Sequence, residues 1–270
     1  MTMAFDREYF HLGVLDLLSR RDTCIHRLDP RTKVIATLLF IVTVVSFPKY
    51  EIMGLLPFFL FPVLVFSLGD IPVWLILKKV LLVSPFAAFI GIFNPVFDTE
   101  PMVTVSGIAV SGGWISFLSV MLRFFLTMTS VLLLIATTSF PGICHALRRL
   151  GMPELFTSQL LFLYRYLFVL VEEGMRMVRA RDMRSFRGKG RDVRVFVSLV
   201  GTLFLRTMER AERIYHAMLS RGFTGSMRFV RTVRFRVTDF ALLAAVAALL
   251  YAFRVYDIVG AVGRQTERMF

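Results

Sequence analysis

The histidines and cysteines are the side chains of this chain that most often carry metal or nucleophilic chemistry, and their spacing favours neither. No histidine lies three or four residues from another histidine or from a cysteine, as metal ligands on one helix face do. The phosphate-binding pattern G-x-x-x-x-G-K-[ST] does not occur either. We therefore expect no catalytic residue, no cofactor and no metal site; the residues concerned are His11, His26, His145, His216, Cys24 and Cys144.

Two arginines are more informative, because each precedes a small residue where a predicted amphipathic helix ends. One helix is predicted from about Phe162 to Arg184 and the other from about Val195 to Ser220, each with apolar residues at helical spacing on one face. The endings read Met183-Arg184-Ser185 and Ser220-Arg221-Gly222. Glycine at position 222 suits the left-handed residue that commonly follows a helix.

An arginine at a helix C-terminus is favoured by the helix dipole and projects from the end of the helix. Its guanidinium binds carboxylates through two parallel hydrogen bonds, so it suits insertion into an acidic groove of a partner. Two such ends suit a partner that is present in two copies. The alternative is a pair of amphipathic helices that pack on each other and on lipid headgroups, with the arginines solvated or facing lipid. The residues alone leave both interpretations open.

The composition indicates the elements that must position these arginines. Of 270 residues, 56% are hydrophobic and only 19% are charged, against about 45–50% and about 25% in ordinary soluble domains. Such a composition excludes a soluble enzyme and a disordered or fibrous chain. The formal charge is nevertheless +13, and an apolar, basic chain is typical of a membrane protein with its positive charge on one side.

Apolar runs predict about five transmembrane helices, the first and the last of them short for a hydrocarbon core of roughly 30 Å. Asp29 and Pro30 predict the N-cap and the first position of the first helix. A sixth apolar stretch, Leu155–Val171, contains Gln159 and Arg165, and we interpret it as half-buried and continuous with the basic helix that follows. The five predicted spans are Val34–Phe47, Ile52–Leu68, Val73–Phe93, Trp114–Thr138 and Phe240–Phe253.

The basic residues orient these spans. Ser139–Thr238 contains 19 Lys and Arg against 7 Asp and Glu, whereas Asn94–Gly113 contains no Lys or Arg. The positive-inside rule places Ser139–Thr238 and the N-terminus in the cytoplasm and Asn94–Gly113 outside. We predict an all-α, multi-pass integral protein of the inner (plasma) membrane, with about five spans and long amphipathic cytoplasmic helices. Its regions are a four-span membrane region at 1–138, a cytoplasmic block at 139–238, and a last span and tail at 239–270.

Four short motifs occur in order along this profile. They are Leu28-Asp29-Pro30-Arg31-Thr32-Lys33, Tyr164-Arg165-Tyr166-Leu167-Phe168, Arg179-Ala180-Arg181-Asp182-Met183-Arg184-Ser185-Phe186, and Glu209-Arg210-Ala211-Glu212-Arg213 with Ala217-Met218-Leu219-Ser220-Arg221-Gly222-Phe223-Thr224-Gly225. In this order they resemble the T component of energy-coupling factor (ECF) transporters, and the last two are most similar to its cobalt branch, which is CbiQ-like.

The resemblance implies a non-enzymatic coupling subunit. Two ABC-type ATPase subunits would lie under the membrane and receive two coupling helices, each ending in a short Ala-Arg-Gly-like motif. A separate, metal-binding membrane S component would bind the substrate, cobalt or nickel. By position the docking motifs are Met183-Arg184-Ser185, which departs from Ala-Arg-Gly on both sides of the arginine, and Ser220-Arg221-Gly222. A T component of a vitamin-type ECF transporter is the alternative.

A membrane-anchored protein that binds anionic lipid or nucleic acid is a more remote alternative. The basic faces lack interleaved aromatic residues and the second helix alternates Glu with Arg, so we expect contact with membrane lipid and no nucleic acid partner. A membrane enzyme would need paired carboxylates or a Cys/His set in its spans, and the spans have neither. Arg123 is the one charge deep in a predicted span and is therefore a functional candidate. We favour a structural role, in which it faces the bundle and pairs with an acid or with backbone carbonyls, or lies nearer the membrane interface.

Overall fold

A computed structural model describes residues 18–19, 21, 23, 25–97, 101–105, 108–184, 193–225 and 237–255. The described residues fall into two compact units. Those within Leu18–Ser139 and Val233–Phe270 form the bundle unit, and those within Phe140–Thr232 form the basic unit. The predicted boundaries of the three regions, and the side of the membrane that each one faces, stay predictions.

The described elements are almost all helical, which is what the apolar periodicity predicts. The bundle unit adds one short antiparallel hairpin, which the sequence did not predict, just before its longest helix. In chain order the elements are α1 (Pro30–Val45), a 3-10 segment (Met53–Phe59), α2 (Leu60–Gly69), α3 (Val73–Gly91), α4 (Phe93–Phe97), β1 (Pro101–Val105), β2 (Ile108–Ser111), α5 (Gly112–Thr137), α6 (Phe140–Arg149), α7 (Glu154–Arg184), α8 (Val193–Ser220) and α9 (Val237–Val255).

Helix α1 begins where the sequence predicts. The side chain of Asp29 accepts a hydrogen bond of 2.8 Å from the backbone N–H of Arg31, and Pro30 occupies the first helical position. The side chain thereby satisfies one of the N–H groups that lack a partner in a helix's first turn. The second predicted span is less regular, because Pro57 lies in the 3-10 segment that leads into α2.

The core of the bundle unit is aromatic and lies between α1, the 3-10 segment, α5 and α9. Phe40 and Phe61 stack with ring centroids 4.6 Å apart, and Phe58 meets Phe253 of α9 edge to face at 5.8 Å. Aromatic pairs in these geometries contribute about 0.5–1.5 kcal/mol beyond the area that they bury. The buried residues of this core are Phe40, Val44, Phe47, Leu55, Phe58, Leu126 and Leu250.

Large apolar side chains also cover the outer surface. In α3, Leu82 is 81% exposed and Phe86 is 69% exposed, which a bilayer tolerates and water does not. Four described helices are long and apolar enough to cross a membrane, and three of them correspond to predicted spans: Val73–Pro95, Gly112–Thr137 and Val237–Val255. The fourth, Glu154–Arg184, belongs to the block predicted to be cytoplasmic, whereas the first two predicted spans lie in shorter helices. The prediction of an all-α integral membrane protein is confirmed, and Leu155–Val171 belongs to one continuous helix with the basic residues after it, as predicted.

Candidate docking site

Helices α7 and α8 of the basic unit cross in an antiparallel sense. Leu170, Val178 and their neighbours face the first part of α8, whereas Phe162 and Tyr166 face its last part. The helices approach each other at Gly174, where an added Cβ would lie 3.7 Å from Cδ2 of Leu203. This is an ordinary van der Waals distance, so the two helix surfaces are packed side by side at this point.

On either side of the crossing the two helices separate and leave apolar crevices. One crevice, of about 350 Å³, lies toward the C-terminal end of α7, between Val178 and Leu199. The other, of about 740 Å³, lies toward the C-terminal end of α8 and is lined by Phe162, Ile214 and Met218. Two crevices flanking one close contact indicate an X-shaped pair.

An ion-pair network holds the crossing. Glu173 of α7 lies 3.2 Å from Arg176 of its own helix and accepts a hydrogen bond of 3.0 Å from Arg206 of α8. These groups are partly exposed, so a pair of this kind contributes about 0–1 kcal/mol. Their main effect is to fix which residues of the two helices face each other.

The C-terminal end of α8 is a Schellman motif. The N–H of Phe223 donates to the carbonyl of Met218, and the N–H of Gly222 donates to that of Leu219, at 3.0 and 2.9 Å. Gly222 has φ +76°, the left-handed conformation that favours glycine. The ring of Phe223 then meets that of Phe162 on α7 at 6.1 Å. Phe223 is thus held against α7, and Arg221, the first residue after α8, is exposed.

Arg184 is the last residue of α7. Its side chain is exposed, and the preceding Met183 is 81% exposed. Ser185, the third residue of this predicted motif, lies outside the described residues. In the second motif, the hydroxyl of Ser220 donates to the carbonyl of His216 at 2.9 Å, so it closes the last turn and is not directed toward a partner.

The two arginines stand at opposite ends of the helix pair. Arg184 lies ten residues beyond Gly174 and Arg221 lies eighteen beyond Leu203. At 1.5 Å per residue these arms measure about 15 and about 27 Å from the crossing. The structure therefore does not bring the two predicted motifs together into one site; it presents two separate contact points on one pair of helices.

The two arginines have no partner within the described residues. Some neighbouring basic residues are paired: Arg181 contacts Asp182 at 2.7 Å, and Arg213 lies 3.8 Å from Glu209. Among the residues that the structure describes, neither Arg184 nor Arg221 has an ion pair or a hydrogen bond through its side chain. Both guanidinium groups keep their donors available for a carboxylate of another molecule.

The family model for the cobalt transport protein CbiQ matches residues 21–230, which include both helix ends and most of the bundle unit. The chain belongs to the CbiQ family. Residues 21–230 also hold all four motifs that carry the resemblance, which confirms it. Members of the family are integral membrane proteins, as the fold of this chain requires.

The relatives of this CbiQ-family chain include proteins named EcfT and proteins named CbiQ. An uncharacterized protein of Methanocaldococcus jannaschii is 27% identical over 85% of this chain and 82% of its own length. The energy-coupling factor transporter transmembrane protein EcfT of Leuconostoc gelidum is 27% identical over 87% of this chain and 92% of its own. The cobalt transport protein CbiQ of Salmonella typhimurium is 26% identical over 46% and 60%. The chain is thus a homologue of ECF transmembrane components.

Other residues that the sequence singled out have local structural roles. Arg123 donates to the carbonyl of Pro48 and to Oγ of Ser119, the latter at 3.0 Å, so the interpretation that it pairs with a backbone carbonyl is confirmed. Cys144 is 1% exposed, and burial raises the pKa of its thiol to about 11, so it stays protonated at neutral pH. In the described part of the chain no three His, Cys, Asp or Glu side chains group as metal ligands do.

Sequence reasoning missed the contacts that hold the two arginines apart. The pair between Glu173 and Arg206 joins residues 33 apart, and Phe162 meets Phe223 across 61 positions. Gly174 lies on the face of α7 that packs beside Leu203, and the apolar spacing did not identify it as the crossing point. Nothing in the spacing of the charged residues identified which glutamate faces which arginine.

Proposed function

We propose that this chain, a homologue of ECF transmembrane components, is the non-catalytic coupling subunit of an importer. It transmits ATP-driven motion from two ABC-type ATPase subunits to a substrate-binding membrane component. Arg184 and Arg221 are the docking residues, one for each ATPase subunit. The observation that carries the proposal is the presence of two exposed, unpaired guanidinium groups at opposite ends of one crossed helix pair.

The helix ends have the chemistry that such docking needs. An arginine at a helix C-terminus adds its charge where the helix dipole favours a cation, and its planar guanidinium matches a carboxylate. Burial of this pair in an acidic groove would strengthen each hydrogen bond. The Schellman motif supports this role, because it stops α8 at a defined residue and keeps Arg221 clear of the chain that follows.

The crossing supports the transmission of motion. Leu203 packs beside Gly174, and the ion pair between Glu173 and Arg206 links the same two helices at the neighbouring position of α7. A displacement at one helix end is therefore passed to the other helix through packed side chains. A pair of separate, flexible helices would absorb the same displacement.

The exposed apolar residues of α8 support a second, membrane-embedded partner. From Val195 to Leu205 this helix has no charged residue, and Phe196, Phe204 and Leu205 are each at least 60% exposed. Such a surface is stable against lipid or against the apolar helices of another protein. We assign it to the component that binds the substrate.

The substrate of this importer is cobalt or nickel in our proposal, because the matching family is described as cobalt transport protein. The EcfT relative, which matches 87% of this chain, supports a vitamin-type transporter as the second candidate. In either case ATP hydrolysis belongs to the partner subunits. The basic unit lies on the cytoplasmic side, as its excess of Lys and Arg predicts.

Purification from native membranes tests this function. The tagged chain is expected to retain two copies of an ATPase subunit and one further membrane protein, and the complex should hydrolyse ATP while the isolated chain does not. In proteoliposomes the complex should take up radiolabelled Co²⁺ in an ATP-dependent way, with a labelled vitamin mixture as the second arm. Recovery of the chain with lipid or nucleic acid and no ATPase would overturn the proposal.

A further inference from the structure

A buried ionic cluster lies at the N-terminal end of α1, within the bundle unit. Asp29, Lys33 and Asp239 are 1%, 8% and 3% exposed, although charged side chains are almost never this buried unless they are paired. Arg31 lies beside them, with Nε 3.8 Å from Oδ1 of Asp29. The cluster therefore contains two acidic and two basic side chains, and its formal net charge is zero.

The first link of this cluster joins α9 to α1. Oδ1 of Asp239 accepts a hydrogen bond of 3.1 Å from the backbone N–H of Asp29, a residue 210 positions earlier in the chain. Asp239 is the third residue of α9, and Asp29 is the N-cap of α1. The start of the last helix is thus fastened to the start of the first.

The second link joins α5 to α1. Nζ of Lys33 donates to the carbonyl of Thr137 at 2.9 Å and to the carbonyl of His26 at 3.4 Å. Thr137 is the last residue of α5, where helix carbonyls lack partners and the helix dipole favours a cation. Lys33 therefore caps the end of α5 from a neighbouring helix.

These two links have a special position along the chain. The chain passes from the bundle unit to the basic unit between Ser139 and Phe140, two residues after Thr137, and returns at Val233, six residues before Asp239. Two of the three crossings between the units, the third lying between Leu17 and Leu18, are thus next along the chain to a helix end that is hydrogen-bonded to the start of α1. Nothing in the stability of α1 requires this, because the Asp29 side chain and Pro30 already supply an N-cap and a first residue.

We propose that Asp29, Lys33 and Asp239 form a positioning site that fastens the C-terminal end of α5 and the N-terminal end of α9 to α1. Motion of the basic unit is then delivered to the helix bundle as a whole and is not lost by local movement of the ends of α5 and α9. Replacing a whole buried ionic cluster by well-packed apolar residues often leaves stability unchanged, so retention of such a cluster favours a role in fixing one arrangement of helices. The inference rests on the proposed coupling function.

The test compares substitutions that break each link with ones that preserve it. Lys33→Met removes the donor to Thr137, whereas Lys33→Arg keeps a cationic donor. Asp239→Ala removes the acceptor for the N–H of Asp29, whereas Asp239→Asn keeps an oxygen at that place. Lys78→Met, at an exposed lysine of α3, is the matched control.

Each variant is purified as the complete complex and reconstituted, and ATP hydrolysis and uptake of labelled Co²⁺ are measured together. If the wild-type complex takes up no Co²⁺, uptake of the labelled vitamin that it does transport is measured instead. We expect Lys33→Met and Asp239→Ala to retain the ATPases and their hydrolysis, while uptake per ATP falls at least tenfold. Lys33→Arg and Asp239→Asn should keep at least a third of the wild-type uptake per ATP, and Lys78→Met should keep the wild-type value.

A merely structural cluster gives a different pattern. Variants that melt earlier but keep the wild-type uptake per ATP would overturn the inference, and so would equal losses in Asp239→Ala and Asp239→Asn. These outcomes leave the proposed function intact, because the ATPases are still retained. Absence of ATPases from the wild-type complex would instead overturn the proposed function, and the inference with it.

Discussion

Replacing the two exposed arginines with alanine is the most direct perturbation of the docking site. Arg184 is the last residue of α7 and Arg221 follows the last residue of α8. Both side chains are exposed and make no ion pair among the described residues, so their removal should leave the free chain as stable as before. A loss of ATPase binding would therefore report contacts made with the partner.

The expected magnitude follows from burial at the interface. Removing one partner of a buried, charged hydrogen-bonded pair costs about 2–5 kcal/mol. At about 1.4 kcal/mol for each factor of ten, each single variant should bind its ATPase about 30-fold to several thousandfold more weakly. The arms of about 15 and about 27 Å keep the sites beyond the distance at which substitutions interact, so the two losses should add. The double variant should lose the complex at micromolar concentrations.

Arg213→Ala is the matched control. Its side chain is 70% exposed, and its Nη1 lies 3.8 Å from Oε2 of Glu209 within the same helix. An exposed pair of this kind contributes at most about 1 kcal/mol, so ATPase binding should change by less than about sixfold. The control removes one positive charge from α8, as Arg221→Ala does, and leaves the helix end unchanged.

The assay is a pull-down of the ATPase pair by tagged wild type, both single variants, the double variant and the control, with helix content checked by circular dichroism. The ATPase retained per chain should fall in the single variants and disappear in the double variant. Retention by the double variant equal to that of Arg213→Ala would refute the docking role of the two helix ends. The basic unit would then act on lipid.

Three further predictions follow from the structure. Gly222→Ala, at φ +76° with no atom within 4 Å of the added Cβ, should strain the end of α8 by about 1–2 kcal/mol and weaken ATPase pull-down without removing a charge; unchanged retention would contradict this. Arg123→Met should cost about 1.5–3 kcal/mol through the lost bonds to Pro48 and Ser119 and lower the melting temperature in detergent; an unaltered melting curve would exclude that role. A cysteine at Ser106 should react with an impermeant reagent from outside and one at Ser226 should not, and equal labelling of both would refute our topology.

The features that the sequence predicted well are those set by local chemistry. The N-cap at Asp29 and the first position at Pro30 depend on residues that are adjacent in the chain. The end of α8 depends on a glycine in the left-handed region, a requirement that few other residues meet. Apolar periodicity and the scarcity of charge similarly predict long helices for a membrane.

The features that it did not predict depend on residues distant in the chain. Helical periodicity shows that a helix has an apolar face, but it does not say which face of which helix will cover it. The contacts of Arg123 with Pro48 and of Asp239 with Asp29 join residues 75 and 210 positions apart, and no spacing rule connects them. The hairpin of β1 and β2 is short, so its alternation was too brief to separate from a loop.

The position of the crossing has a mechanical consequence for the proposed coupling. Because Gly174 lies nearer the end of α7 than Leu203 does to the end of α8, the two arms differ, at about 15 and about 27 Å. A rotation about a fixed point displaces each end in proportion to its arm. A rigid rotation of the pair about its crossing therefore moves Arg221 almost twice as far as Arg184. Two equivalent ATPase subunits would have identical grooves. The unequal displacements of Arg184 and Arg221 in those grooves would then follow from the unequal distances of the two arginines from the crossing.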